Sequence, residues 1–296
     1  MHNNKPSENA FFGTHQSTPL VLLHIGRIEM NADWNFQNLC SPFLRIYYVE
    51  HGQAEVFIHN KTYQLTPGHI YMIPPFTRHS DQCNGPFTHY YLHILDQQIQ
   101  KNNIYEQNNF PFEIKANAYD LDLFKRLVEL NPDSFLKHSI PSTYDNSQTI
   151  MQVIQRFNQH TAKELYEMEA IMMMLVSRFY RQAVSVNETN DNRVLQVQQY
   201  ILQHISESLS LEELAEMVGV CKDSLIRIFK RETGMTPVEF ILNKRIEKAQ
   251  IALLTQASSI HDIAIQLGFG NQSYFASLFK RMMGITPLQY RKQNQL

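Results

Sequence analysis

Residues 210–240 read SLEELAEMVGVCKDSLIRIFKRETGMTPVEF, and residues 259–291 read SIHDIAIQLGFGNQSYFASLFKRMMGITPLQYR. The second segment repeats the first at an offset of 49 residues up to Gly268 and of 50 residues beyond it. Both copies contain Phe-Lys-Arg, at 229–231 and 279–281, and Gly-x-Thr-Pro shortly after it. A tandem repeat with matched spacing predicts two copies of one structural unit.

Each copy predicts a short helix, a tight turn and a second helix. Ser210 with Glu213, and Ser259 with Asp262, have the spacing of a capping box at a helix start. Gly219 follows the first helix at the position where a left-handed residue ends a helix. The second helix has one apolar face and one polar face, as expected of a helix-turn-helix whose second helix enters the major groove. The alternative is a helical bundle with charged outer faces.

The exposed faces of the two second helices supply candidate DNA contacts. We predict base-reading positions at Asp223, Ser224, Ile226, Arg227, Gln272, Ser273, Ala276 and Ser277. We predict phosphate contacts at Lys222, Lys230, Arg231, Asn271, Lys280 and Arg281. The charge distribution agrees with this, because residues 1–192 carry a formal net charge of −5 and residues 193–296 one of +3. Double-stranded DNA attracts positive charge of this kind.

The motif of the second copy is Ile263-Ala264-x-x-x-Gly268-Phe269-x-x-x-Ser273-Tyr274-Phe275-x-x-x-Phe279-Lys280, then Gly284-x-Thr286-Pro287-x-x-Tyr290-Arg291. Residues 219–245 and 259–291 resemble the DNA-binding domain of the AraC/XylS family of bacterial transcription regulators. Cys221 departs from the serine cap that is usual in the family, and Ser277 from a common arginine. The resemblance implies a cytoplasmic homodimeric regulator and not an enzyme, with RNA polymerase left open as a partner.

Residues 19–95 have the composition of strands and turns. Strands are predicted at 20–25, 43–49, 54–59, 62–65, 69–73 and 87–94. Many short strands at such spacing predict a sandwich or barrel. The order Gly52, Pro67-Gly68, Pro74 and His79 resembles the pattern of a cupin jelly roll. It also resembles the sensor domain that precedes the DNA-binding domain in AraC-type regulators. The expected fold is therefore α+β with two domains: a cupin-like β-barrel followed by dimerisation helices, and an all-α domain with two helix-turn-helix motifs.

The resemblance to cupins does not extend to their metal site. Cupin enzymes use three histidines and a carboxylate, but Arg45 stands at the carboxylate position and 38–41 read Asn-Leu-Cys-Ser where the paired histidines are expected. Only His79 remains, so we predict no metal and no cofactor. Because a buried unpaired arginine is unfavourable, Arg45 is exposed, meets a carboxylate such as that of Glu55, or binds a ligand's oxygens.

A small-molecule effector, such as a sugar or a related metabolite, is expected in the barrel. The candidate effector-binding residues are Trp34, Arg45, Tyr47, His79, Tyr91 and His93. Two alternatives remain: a regulator without an effector, whose barrel is only a dimerisation scaffold, and a cupin enzyme fused to a DNA-binding domain.

Helices are predicted at 119–130, from 150 to 157, and over 163–183. The last of these carries an apolar stripe with the spacing of a helix pair, and it predicts either a dimer interface or internal packing. The stripe comprises Leu165, Met168, Met172, Leu175 and Phe179. The predicted domains are an N-terminal arm (1–18), a barrel and dimerisation domain (19–184), a linker (185–192) and a DNA-binding domain (193–296). No apolar run reaches the ~20 residues of a membrane span.

Overall fold

The computed structural model describes residues 20–58, 61–97, 105, 108–180, 184–185, 191–256 and 258–292. The predicted N-terminal arm lies outside the described residues, as does most of the predicted linker. Within the described part of the chain, every helix is too short or too polar to span a bilayer.

The N-terminal part is built from antiparallel strands. They are β1 (Leu20–Met30), β2 (Asn35–Leu39), β3 (Leu44–Gly52), β4 (Ala54–Ile58), β5 (Lys61–Leu65), β6 (His69–Ile73), β7 (His79–Gln82), β8 (Phe87–Asp96), β9 (Asn108–Asn109), β10 (Glu113–Lys115) and β11 (Val184–Ser185). One sheet has the order β1-β8-β3-β6-β10 and a second has the order β2-β7-β4-β5. The predicted strands are present, whereas β2, β7 and the short strands β9, β10 and β11 were not predicted.

Both faces of the five-stranded sheet are buried. On β3, Arg45, Tyr47 and Val49 face the second sheet, because side chains of a strand alternate between its two faces. Leu44 and Ile46 on the same strand face the opposite way, into the apolar cluster that includes the helices. A register shift in β1 brings His24 opposite His93 of β8, on the inner face. The sheet therefore separates a largely apolar helix-facing core from an inner face that is rich in polar groups.

The helices that follow the strands cover the outer face of this sheet. They are α1 (Asp120–Leu130), α2 (Pro141–Tyr144), α3 (Ser147–Phe157) and α4 (Ala162–Tyr180). Helix α4 packs against α1 and β1, and α3 also packs against β1. The predicted helix at 119–130 is confirmed almost to the residue, whereas the short helix α2 was not predicted.

The apolar stripe of α4 is part of the protomer's own core. Met168, Met172, Leu175 and Phe179 have no accessible surface, and Leu165 is partly buried against the same cluster. The prediction that these residues form a dimer interface is therefore wrong, because their own β1 and α1 already cover them. The alternative of internal packing is confirmed.

The C-terminal part is all helical. Its helices are α5 (Asn192–Gln203), α6 (Leu211–Met217), α7 (Lys222–Thr233), α8 (Pro237–Thr255), α9 (Ile260–Gln266), α10 (Gln272–Met283) and α11 (Pro287–Lys292). The predicted capping boxes are formed at Ser210 and Ser259, where each side chain accepts a hydrogen bond from the N3 backbone and the N3 side chain accepts one in return. Gly219 and Gly268 end the short helices with φ of +68° and +74°. Both predicted helix-turn-helix units are confirmed.

The two units have separate apolar cores, which α8 connects. Phe240 and Ile241, near the start of α8, pack with α5, α6 and α7. Ile246 and Ala249, further along α8, pack with α9, α10 and α11 in a cluster that continues into the N-terminal helices. Helix α3 contacts both α8 and α11. The second unit therefore shares its core with the domain that contains the barrel.

Candidate nucleic-acid interface and barrel interior

Helix α7 has the buried and exposed faces that the sequence predicts. Leu225, Ile228 and Phe229 are buried in the core of the first unit. On the opposite side, a shallow depression of about 330 Å³ is lined by Asp223, Ile226, Arg227, Lys230 and Arg231. Ser224 is partly buried and Lys222 is exposed at the start of the helix. The predicted contact residues of the first unit therefore share one accessible face.

Helix α10 presents an equivalent face. Gln272, Ser273 and Ser277 are exposed and Ala276 is partly buried. Asn271 caps the helix, since its Oδ1 accepts a hydrogen bond from the Tyr274 backbone N–H at 2.8 Å. By contrast Cys221, at the same place in α7, makes no side-chain cap bond to the backbone. The second reading helix therefore has a side-chain cap that the first lacks.

Several cations on these faces are available to a partner. Arg227, Lys230, Lys280 and Arg281 are exposed, and none of their side chains forms a hydrogen bond or ion pair with the described residues. Two predicted phosphate contacts are already engaged: Lys222 pairs with Glu212, and Arg231 with Glu232 at 2.7 Å. Exposed pairs of this kind are weak and can exchange for a phosphate.

Arg45 lies in the space between the two sheets and is 1% exposed. Its Nη2 donates to Ser41 Oγ at 2.6 Å and to Asp145 Oδ2 at 3.2 Å. Its Nη1 donates to the Tyr144 hydroxyl at 3.1 Å and lies 3.3 Å from His93 Nε2. Arg45 therefore meets a carboxylate, one of the three situations that the sequence allowed.

The carboxylate that pairs with Arg45 is not the one suggested by the sequence. Glu55 was the candidate, but it accepts a hydrogen bond from Gln64 on the neighbouring strand. Asp145 takes its place and lies 100 residues from Arg45 in the chain, just before α3. Burial raises the pKa of the Asp145 carboxyl group, and the Arg45 guanidinium opposes that rise without outweighing it.

The other predicted effector residues lie in the same inner space and are also buried. Trp34 and Tyr47 contact each other edge to face at 6.2 Å between ring centroids, and Tyr91 contacts His93 at 5.6 Å. His79 Nε2 lies 3.9 Å from Asp81 Oδ1. The six predicted residues are thus brought together, and Asp81 is a member of the group that sequence reasoning missed.

The buried imidazoles are held neutral. Burial lowers the pKa of His24 to about 3, with Arg45 and Arg156 adding to the effect. Burial also lowers the pKa of His79 to about 4 and that of His89 to about 3. The pKa of His93 is well below its ordinary value for the same reason. Burial raises the pKa of Asp81 to about 7.

These shifts predict that the protein loses stability in mild acid. In the unfolded chain the four histidines take up protons as pH falls through about 6.5, whereas in the folded protein they resist until about 4 or lower. Asp81 and Asp145, whose pKa values are raised, act in the opposite direction, but they are two groups against four. We expect the free energy of unfolding to fall by at least ~2 kcal/mol between pH 7 and pH 5. Urea unfolding at both values measures this, and equal stability would contradict the neutral assignments.

Comparisons with known proteins agree with this architecture. Residues 23–107 match the family model described as an AraC-like ligand binding domain. Residues 214–293 match the model described as a helix-turn-helix domain. The two ranges together span more than half of the chain. The chain belongs to the AraC family of transcription regulators.

Relatives of this AraC-family chain are themselves described as regulators. It is 27% identical over 157 residues to the uncharacterized HTH-type transcriptional regulator YdeC of Bacillus subtilis (strain 168), covering 50% of this chain and 54% of that protein. It is 29% identical over 271 residues to an uncharacterized HTH-type transcriptional regulator of Staphylococcus aureus (strain COL), covering 90% of this chain and 33% of that protein. The chain thus spans about half the length of the first and a third of the second.

Comparison with solved structures also found similar chains. The C-terminal domain of AraT, a response regulator from Geobacillus stearothermophilus, is 36% identical and has a TM-score of 0.35, covering 36% of this chain and 88% of that one. ToxT from Vibrio cholerae is 16% identical with a TM-score of 0.48, covering 94% of this chain and 98% of that one.

Proposed function

We propose that this AraC-family chain is a sequence-specific DNA-binding transcription regulator that responds to a small-molecule effector. The observation that carries the proposal is the pair of equivalent exposed faces on α7 and α10, each with cations that have no partner among the described residues. In a helix-turn-helix protein the second helix of each unit lies in the major groove. The residues proposed to read bases and to contact phosphates are those predicted from the sequence.

The proposal is tested by selection from a pool of random DNA duplexes. Purified protein is expected to enrich one bipartite motif over successive rounds, with one half for each reading helix. A matched selection uses a variant in which Arg227, Lys230 and Lys280 are all replaced by alanine, and we expect no enrichment there. A wild-type selection that returns no motif would contradict the proposal.

The phosphate contacts predict a specific change in salt dependence. Each phosphate neutralised by a cation adds about −0.9 to the slope of log K against log salt concentration. We expect Lys230→Gln and Lys280→Gln each to weaken binding to all duplexes and to reduce the slope by about 1. Lys125→Gln, an exposed lysine on α1, is the control and should leave the slope unchanged. Unaltered slopes for both variants on the reading helices would exclude phosphate contacts there.

The effector is proposed to bind the polar inner face of the barrel. Several buried atoms there have no hydrogen-bond partner among the described residues, namely Arg45 Nε, His79 Nε2, Asp81 Oδ1, His89 Nδ1 and His93 Nδ1. A ligand rich in hydroxyl groups, such as a sugar, offers both donors and acceptors to such atoms. The apolar rings of Trp34, Tyr47 and Tyr91 would supply the remaining contact surface.

A groove on the side of α3 lies next to this polar group. It has a volume of about 240 Å³, and His24, Tyr144, Val153 and Arg156 are among the residues that line it. His24 and Tyr144 both contact the ring of His93, which bonds to Arg45. Helix α3 forms one side of the groove and also contacts α8 and α11 of the second reading unit. We therefore propose that effector binding moves α3, and that this movement changes the position of the second helix-turn-helix unit.

The protein is further proposed to act as a homodimer through the outer face of α4. Tyr166, Met173 and Tyr180 recur at seven-residue intervals on this face and are 52%, 54% and 41% exposed. Large apolar residues at heptad spacing suit a helix pair between two copies. RNA polymerase as a further partner, and a cytoplasmic location, are also part of the proposal.

The dimer proposal predicts that Met173→Glu produces a monomer. A charge at the centre of an apolar helix pair must be desolvated without a partner, which disfavours association. Sedimentation equilibrium of the wild type and the variant measures the change. Lys125→Glu on α1 should leave the mass unchanged. A wild-type protein that is monomeric at micromolar concentration would contradict the proposal.

A further inference from the structure

The connection between the two reading units passes through one buried arginine. Arg245 lies on α8 between Ile241, which belongs to the core of the first unit, and Ile246, which belongs to the core of the second. It is 8% exposed. Arg245 thus lies in the stretch of α8 where the apolar packing passes from the core of the first unit to the core of the second.

The Arg245 guanidinium holds backbone from both units. Its Nε donates to the Ile205 carbonyl at 2.9 Å, and its Nη2 donates to the Glu207 carbonyl at 2.6 Å, both in the segment between α5 and α6. Its Nη1 donates to the Gly268 carbonyl at 2.7 Å, in the turn that precedes α10. Hydrogen bonds from a charged donor are stronger than neutral ones, and the planar guanidinium fixes their relative directions.

The turn of the second unit fits closely around this arginine. Gly268 has a φ of +74°, and a Cβ built on it would lie 2.7 Å from Arg245 Nη2 and 2.7 Å from the Ser206 carbonyl oxygen. A side chain there would displace either the guanidinium or the backbone of the first unit. Phe269, the next residue, lies under the guanidinium with its ring centroid 5.8 Å from Arg245 Cζ. The turn before α10 is thus held directly to the loop before α6.

We infer that Arg245 is a positioning residue that sets the spacing between the two reading helices on DNA. This inference rests on the proposed function. Arg245 itself faces backbone carbonyls and is not one of the exposed residues that would touch DNA. Because it links both units to α8, it restricts how far α10 can turn relative to α7. The protein should therefore bind two half-sites only at one separation.

The test uses duplexes that carry the selected bipartite motif with its native spacing or with one, two or three inserted base pairs. We expect the wild type to bind the altered duplexes at least ~10-fold more weakly, because only one unit can then read its half-site. Arg245→Lys keeps the positive charge, but its single ammonium group cannot reproduce the three hydrogen bonds that the planar guanidinium donates to the backbone carbonyls. For this variant we expect ~10-fold weaker binding at the native spacing, and affinities within ~3-fold of one another across the four spacings.

Two further measurements separate positioning from general damage. Affinity for a duplex with a single half-site should be the same for wild type and Arg245→Lys, and thermal unfolding identifies any loss of folded protein. Arg245→Met is the more severe variant and should show the same loss of spacing preference. If Arg245→Lys retains the wild-type spacing preference, or weakens all duplexes equally including the single half-site, the inference is overturned. A wild type that prefers no sequence contradicts the proposed function instead.

Discussion

Replacing Arg45 by methionine is expected to lower the free energy of unfolding by about 3–5 kcal/mol, the range typical of removing one partner from a buried ion pair. The substitution leaves Asp145 without its cation and removes the hydrogen bonds that Arg45 donates to Ser41, Tyr144 and Asp145. Methionine has a similar length, so the loss is of charge and hydrogen bonds more than of volume. Urea unfolding followed by far-UV circular dichroism measures the change.

A surface pair supplies the matched control. Arg27 bonds to Glu50 at 2.6 Å and to Glu29 at 3.0 Å, but its side chain is 40% exposed. Arg27→Met should therefore change stability by no more than ~1 kcal/mol. Combining Arg45→Met with Asp145→Asn should recover part of the loss, since the isolated carboxylate is then removed. If Arg27→Met and Arg45→Met lower the free energy of unfolding equally, the buried interactions of Arg45 do not stabilise the barrel more than a surface ion pair does.

The ion pair between Arg45 and Asp145 changes what we expect of Arg45 in the response to the effector. From the sequence, Arg45→Ala is expected to abolish the response and to leave effector-free DNA binding intact. The bond to Asp145, which directly precedes the segment leading into α3, connects Arg45 to the helix that contacts the second reading unit. We therefore expect Arg45 variants to change DNA affinity in the absence of effector as well.

Replacing Arg227 by alanine is expected to weaken binding to the selected site by ~1–3 kcal/mol, or roughly 5- to 150-fold. An arginine on the exposed face of a recognition helix can bind the O6 and N7 of guanine with two hydrogen bonds. Arg227 lines the depression on α7 and has no partner among the described residues. Binding to unrelated DNA should change little, because that binding comes from phosphate contacts.

The control for this prediction is Arg126→Ala, which removes a half-exposed arginine from α1 in the N-terminal part. It should leave both affinities unchanged. Fluorescence anisotropy with the selected and a scrambled duplex, at one salt concentration, gives the two dissociation constants. An equal loss on both duplexes would make Arg227 a phosphate contact, and no loss would remove it from the interface.

The reading domain could be predicted closely because its signals are local. Capping residues, glycine turns and helical periodicity act within a few residues, and the repeat shows each of them twice. Strands β2 and β7 escaped prediction because NFQNL and HSDQ are mostly polar and lack strand-like apolar alternation. Their pairing with each other and with β4 decides their conformation.

The residues that sequence reasoning missed depend on distant partners. Asp145 is 100 residues from Arg45, and Arg245 reaches carbonyls that are 23 to 40 residues away. The apolar stripe of α4 could not be assigned from the sequence for a different reason. Apolar residues at steps of three and four occur both in helices that pair with a second copy and in helices that are buried within one protomer. Only the presence of β1 and α1 over Met172 and its neighbours decides between them.

The paired helices of this chain are proposed to recognise a DNA sequence. The most direct test is the ratio of dissociation constants for the selected bipartite duplex and a scrambled duplex of the same composition, measured by anisotropy at about 150 mM salt, because affinities for DNA depend on salt. We expect the dissociation constant for the scrambled duplex to be at least ~10³ times that for the selected duplex, as is typical of specific DNA-binding proteins. Equal dissociation constants for the two duplexes would contradict the proposal.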